Sequence, residues 1–186
     1  MDYSQFLVMR SEISLLIVFL LIFFADTFGG KKTLKGLSIT ACVLFALHTI
    51  WNIIPVETTS AFGGMYQTSP MASMVKTVLN IGTFIVLLQS VSWSENPDVK
   101  VRRGEFYELL LITLFGMYLM VSAGHFLLFF IGLETASLPM AALIAITKKD
   151  SESYEAGAKY LFTAVFSSAL FLLGLSFLYG VSGSLY

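Results

Sequence analysis

The chain has 186 residues, of which 56% are hydrophobic, 15% aromatic and only 12% charged, with a formal net charge of -1. Soluble domains carry about a quarter of their residues as charges, so lipid is the expected solvent and a separate water-soluble domain is excluded. The near-neutral balance excludes the basic surface that nucleic acid requires; the single cysteine, Cys42, excludes an internal disulfide and, with no Cys/His cluster beside it, a metal centre.

A spanning helix needs roughly 20 predominantly apolar residues. Hydrophobic runs and their Gly/Pro punctuation divide the chain into about six such segments. The first covers 13–28 and is closed by Gly29 and Gly30. Its apolar run could serve as a signal-peptide core, but the Ala25-Asp26-Thr27-Phe28 that follows is not a small-x-small cleavage site, so the run is expected to stay as the first helix. The second covers 37–54 and is closed by Pro55; a polar loop rich in Thr, Ser and Gly follows over 56–70. The third covers 71–93, ahead of a charged loop containing Asn96-Pro97. The fourth covers 106–122, the fifth 126–146 and the sixth 156–179, with a charged loop over 147–153 and a Gly/Ser-rich tail. Barrel strands would be about ten residues long and alternate in polarity. The expectation is therefore an all-α, polytopic transmembrane bundle, a single domain over 1–186.

Loop charges orient the bundle. Lys31, Lys32 and Lys35 follow the first helix, Lys100, Arg102 and Arg103 the third, and Lys148 and Lys149 the fifth; the loops 56–70 and 123–125 contain no Lys or Arg. Short Lys/Arg-rich loops stay cytoplasmic, so both termini are expected on the periplasmic side of a bacterial inner membrane. Arg10, just before the first helix, is the one dissenting charge.

Ionisable side chains at membrane depth are costly and usually face a bundle interior. Glu134 lies in the fifth helix, roughly 12 Å below its periplasmic end at 1.5 Å per residue. Ser137 and Ala141 share its face, and Pro139 leaves the carbonyl of Thr135 without its usual intrahelical partner. A proton-exchanging carboxylate and a static interhelical bond are the two readings of Glu134. Lys159, near the start of the sixth helix, shares a stripe with Thr163 and Ser167 at i+4 and i+8; snorkelling to the surface is the competing reading. Direct pairing of Lys159 with Glu134 is not expected, because their depths differ by roughly 10 Å or more. Asp26 reads as an interfacial partner of Lys31 and Lys32, and Lys76 as a snorkelling lysine. His48 reads as an interhelical hydrogen-bonding group, and His125, at a helix boundary, as one placed to titrate near physiological pH. Trp51 and Trp93 sit at span ends, as interfacial anchors do.

The residues from Glu105 onward also carry a family pattern. Glu105-Phe106-Tyr107-Glu108-Leu109-Leu110 opens a helix, followed by Gly116-Met117 and Ser122-Ala123. Then come Phe129-Phe130-Ile131-Gly132-Leu133-Glu134 with Ser137-Leu138-Pro139, and Glu155-Ala156-Gly157-Ala158-Lys159-Tyr160-Leu161 with Ser167-Ser168. Leu178-Tyr179-Gly180 and Gly183-Ser184-Leu185 end the pattern. This combination resembles subunit N of the proton-pumping NADH-quinone oxidoreductase (respiratory complex I), an antiporter-like membrane subunit. Asp26 with Phe28 is similar to the family's first helix. The resemblance implies that Glu134 is the fifth-helix glutamate of a proton path and Lys159 its sixth-helix lysine; Ser137, Thr163, Ser167 and His125 are, from their positions in the sequence, the candidate supporting polar groups. It implies further lysines on the seventh, eighth and twelfth helices of a subunit of about fourteen helices, built on inverted repeats. The sequence given stops after the sixth, so it is expected to correspond to the N-terminal part of such a subunit and not to pump alone. The resemblance places NADH, FMN, iron–sulfur clusters and quinone on other subunits, so that this chain binds no cofactor. Other membrane subunits, the lipid bilayer and protons are the expected partners. The alternatives are a subunit of a related multisubunit cation/proton antiporter or membrane-bound hydrogenase, and a structural or assembly protein in which Glu134 only joins helices.

Overall fold

The computed structural model describes residues 4–29, 31–95, 102–147 and 151–186, with side chains for all of these except 4 and 31–35. A short helix α1 (Ser4–Val8) precedes six long ones: α2 (Arg10–Phe28), α3 (Lys31–Trp51), α4 (Pro70–Trp93), α5 (Arg103–Val121), α6 (Phe126–Ile144) and α7 (Ser151–Ser182). Among the described residues, α2, α4, α5, α6 and α7 are each long and apolar enough to cross a membrane; in α3 the apolar part is the shorter Gly36–Trp51. The polytopic helical architecture expected from the sequence is the one observed. Helices α3 and α7 begin several residues ahead of their apolar runs, because Lys and Glu are good helix formers and carry the backbone on into the polar layer. Asn96, Pro97, Lys100, Lys148 and Lys149 lie outside the described residues, as does the expected pairing of Asp26 with the side chains of Lys31 and Lys32.

The loop between α3 and α4 holds more structure than its polar composition suggests. Strands β1 (Thr59–Ala61) and β2 (Tyr66–Thr68) pair antiparallel, with Thr59 opposite Thr68 and Ala61 opposite Tyr66. The connecting turn takes Gly63 and Gly64 to φ of 66° and 92°, the left-handed region that glycine enters without steric cost. The hairpin closes one end of the bundle. Gln67 N–H donates to the Ser122 carbonyl at 2.8 Å, Gly124 N–H to the Met65 carbonyl at 2.8 Å, and Phe62 N–H to Gln5 Oε1 at 2.9 Å.

Directly after the hairpin, Ser69 caps α4: its hydroxyl accepts from Ala72 N–H at 3.1 Å, and Pro70 occupies the first turn, where its missing N–H costs nothing. Removing the cap in Ser69→Ala is expected to cost about 1 kcal/mol. The check is a lower thermal midpoint of the purified complex, with Ser69→Asp, a competent cap, restoring it.

The core lies among α2, α3, α4 and α5, where Leu15, Ile22, Phe45, Leu87, Tyr107, Leu111 and Tyr118 are fully buried. Helices α5 and α6 form the closest pair. A Cβ on Gly116 would stand 2.4 Å from the Ala136 nitrogen and 2.6 Å from the Gly132 carbonyl oxygen, so the two backbones touch. Gly157 likewise lets α7 approach Ala145 and Ala141 of α6. Helix α7 packs chiefly on α6 and leaves most of its surface exposed.

Candidate functional site

Glu134 stands mid-way along α6, between Gly132 and Ala136, the two residues that bury α6 against α5. That contact fixes the rotation of the helix and leaves the Glu134 side chain half-buried. Among the described residues its carboxylate has no hydrogen-bond or ion-pair partner. The local backbone is already occupied with short-range bonds: Thr135 Oγ1 donates to the Ile131 carbonyl at 2.7 Å and Ser137 Oγ to the Glu134 carbonyl at 3.4 Å. Pro139 lies inside the helix one turn further on. His125 is the N-cap of α6, its Nδ1 accepting from Leu127 N–H at 3.0 Å while its ring meets that of Tyr186 edge-on at 4.6 Å. Both rings line an open, mainly apolar cleft of about 340 Å³.

Lys159 and its stripe occupy the outer surface of α7. The side chain is 74% exposed and pairs with Glu155 one turn earlier. Thr163 Oγ1 and Ser167 Oγ donate back along the helix to the carbonyls of Lys159 and Thr163, each at 2.9 Å. The expected periodicity is therefore present, on a face turned away from α6. Glu134 and Lys159 are not brought together, in keeping with their difference in depth.

The structure assembles a second ionisable group that the sequence did not disclose. Lys76 does not snorkel. Its Nζ lies 2.6 Å from Glu12 Oε1, with the two side chains 5% and 1% exposed. The reason is the hairpin: Tyr66 of β2 covers the route to water, donating its hydroxyl to Glu12 Oε2 at 2.8 Å and accepting from Lys76 at 3.3 Å. The ammonium also sits 5.5 Å and 5.3 Å from the ring centres of Tyr66 and Tyr118, where the π faces attract a cation. Burial, and then the neighbouring Glu12 charge, push the Tyr66 phenol well above the usual tyrosine range, so it remains a neutral donor.

From Tyr118 the polar contacts run deeper. Its hydroxyl donates to Asn80 Oδ1, one turn beyond Lys76 on α4. That single proton being used, His48 Nε2, 3.1 Å away, is the donor to the Tyr118 oxygen. In the neutral imidazole Nδ1 is then the acceptor, with Asn52 Nδ2 at 3.2 Å and Ser14 Oγ at 3.0 Å. His48 thus makes interhelical bonds from α3 to α2 and α5, as expected. Asn80 is completely buried, and its amide nitrogen has no partner among the described residues. The signals for this cluster were Glu12, one position ahead of the first apolar run, Lys76 inside the start of the third, and the polar i, i+4 pairs Lys76/Asn80 and His48/Asn52; what joins them is a contact across 64 positions of sequence.

Comparison with known proteins gives the class first. A transmembrane family model described as NADH:quinone oxidoreductase/Mrp antiporter matches residues 123–186, which contain α6 and α7. With the membrane-scale helices this defines a multi-pass, antiporter-like membrane protein. The chain is 49% identical over 186 residues to NADH-quinone oxidoreductase subunit N of Phocaeicola vulgatus, covering all of this chain and 39% of the relative. It is 43% identical to that of Azobacteroides pseudotrichonymphae over 188 residues, again 100% of this chain and 39% of the relative. Against the Neisseria gonorrhoeae protein identity is 36% over 182 residues, 94% of this chain and 36% of the relative. The chain belongs to the NADH-quinone oxidoreductase subunit N family and spans about two fifths of the length of these relatives.

Proposed function

We propose that the chain serves, within a complete subunit N, in the membrane arm of a proton-translocating NADH-quinone oxidoreductase, and that Glu134 is one of its proton-carrying groups. The observation that carries this reading is a carboxylate set half-buried in the apolar middle of α6, beside Pro139 and without a partner in the described residues. An intramembrane acid is costly to keep, and one without a partner to join helices points to a functional role. Lys159, with Thr163 and Ser167, extends the path on the outer face of α7. A further helix of the same subunit covers that stripe, since polar groups on a lipid-facing surface are costly. Ser137, on α6 with Glu134, and His125, the N-cap of α6, support the path on that helix. NADH, flavin, iron–sulfur clusters and quinone belong to other subunits. The Lys/Arg distribution supports termini on the periplasmic side of a bacterial inner membrane.

Glu134→Gln keeps the shape and removes the proton-binding charge. In the complete subunit within the assembled complex, it is expected to lower the protons moved per NADH oxidised while assembly stays normal. Unchanged pumping would remove Glu134 from the path. A loss of assembly instead of pumping would favour the structural-protein alternative, and co-purification with antiporter-type rather than NADH-dehydrogenase subunits would favour the antiporter one.

A further inference from the structure

The Glu12–Lys76 cluster has no part in the reading above, yet it is the most completely buried ion pair among the described residues. As a device for stability it is a poor choice, since two apolar side chains of the same volume hold helices together as well or better. Ionisable groups at membrane depth are retained chiefly where they move or sense charge. The surroundings fit that use. Tyr66, on the hairpin that closes the bundle end, bonds both members of the pair. On the inner side the polar contacts continue over Tyr118, Asn80 and His48, ending at a buried amide nitrogen of Asn80 with no partner among the described residues. Helix α5, which carries Tyr118, is also the helix whose Gly116 touches the backbone of Gly132, Thr135 and Ala136 around Glu134.

We propose that Glu12 and Lys76, joined to the hairpin by Tyr66, form a second proton-exchange site of the subunit, on the hairpin side of the bundle and one helix away from Glu134. The proposal rests on the proton-translocating role argued above. The step balances without a cofactor. Tyr66 passes its phenolic proton to Glu12 Oε2 as its oxygen takes up a proton delivered as hydronium from the hairpin-side solvent, which requires the buried hydroxyl to be transiently wetted, so neither phenolate nor hydroxide is left. Glu12 becomes neutral, and the pair goes from zero net charge to +1. The Lys76 ammonium, having lost its counter-ion, is held by the faces of Tyr66 and Tyr118. The reverse transfer restores the ion pair. Each cycle therefore switches a positive charge on and off one helix away from Glu134.

The test uses the complete subunit in the assembled complex, reconstituted in vesicles, with protons moved per NADH oxidised as the readout. The double variant Glu12→Gln/Lys76→Met removes both charges together and strands neither. It is expected to assemble and to lose pumping to the level of Glu134→Gln measured alongside. A purely structural pair predicts normal pumping in the assembled double variant, and that result overturns the proposal. Tyr66→Phe leaves the ion pair in place and removes only the relay, so it decides the matter even if the double variant fails to assemble. Loss of pumping with intact assembly is expected, and full pumping overturns the proposal. If Glu134→Gln lowers pumping while Tyr66→Phe and the double variant do not, only this second site is lost. If Glu134→Gln pumps normally, the broader reading fails on its own account.

Discussion

Gly116→Val is expected to abolish stable packing of α5 on α6. The first atom of any side chain at 116 falls 2.4 Å from the Ala136 nitrogen, 2.6 Å from the Gly132 oxygen and 2.7 Å from the Thr135 carbonyl carbon. These are backbone atoms of a helix and cannot rotate aside, so the helices must separate. Overpacking of a flexible core costs about 1–3 kcal/mol; a backbone-to-backbone seam has less freedom to relax, and the cost here is expected at or above about 3 kcal/mol. The same shift would turn Glu134 away from its position, because Gly132 and Ala136 set the rotation of α6. The measurement is the amount of subunit retained in membranes and the thermal midpoint of the purified complex. Gly82→Ala is the control: its Cβ meets nothing within 4 Å, and alanine is the better helix former by about 1 kcal/mol. It is expected to be neutral or slightly stabilising. Normal stability of Gly116→Val would mean that the helices stand further apart than described.

The second large effect is expected from breaking the buried ion pair on one side only. Glu12→Gln leaves the Lys76 ammonium 5% exposed with no counter-ion, and Lys76→Met leaves the Glu12 carboxylate in the same condition. Removing one member of a buried pair costs about 3–5 kcal/mol, because an uncompensated charge stays behind. Each single variant is expected to reduce the assembled complex sharply. Combining them is expected to recover most of the loss, since the double variant leaves no charge to strand. A double variant as unstable as either single one would mean that packing, not charge, holds this end of the bundle.

Much of the fold was legible in the chain because membrane helices announce themselves by long apolar runs that need no long-range information. The punctuation at Gly29, Pro55 and the 122–125 turn fell near the observed helix ends for the same local reason: glycine and proline act on the backbone where they stand. Glu134 stood out as a lone charge in an apolar run, and the stripe of Lys159, Thr163 and Ser167 followed from the helical period. What the stripe faced was not legible, because exposure depends on the packing of α7 against α6. The hairpin was missed because strands of three residues, such as Thr59–Ala61, carry too little alternation to be read. That miss hid the second cluster as well. Lys76 one or two turns inside a span reads as a snorkelling residue until something blocks its path to water, and that obstacle is Tyr66. Glu12 was placed outside the first apolar run by a single position, and helix α2 starts early enough to bring it inside.

The hairpin-side ion pair also sets a schedule for making the protein. Its members are 64 positions apart, and at synthesis rates of about 5–20 residues per second the carboxylate leaves the ribosome roughly 3–13 seconds before its counter-ion. During that interval the amino-terminal end of α2 carries an unneutralised acid and is best kept in the headgroup layer. It can settle to its final depth only when α4 arrives with Lys76 and the intervening strands fold over both. Helix α2 thus reaches its final depth only after α4 has been synthesised.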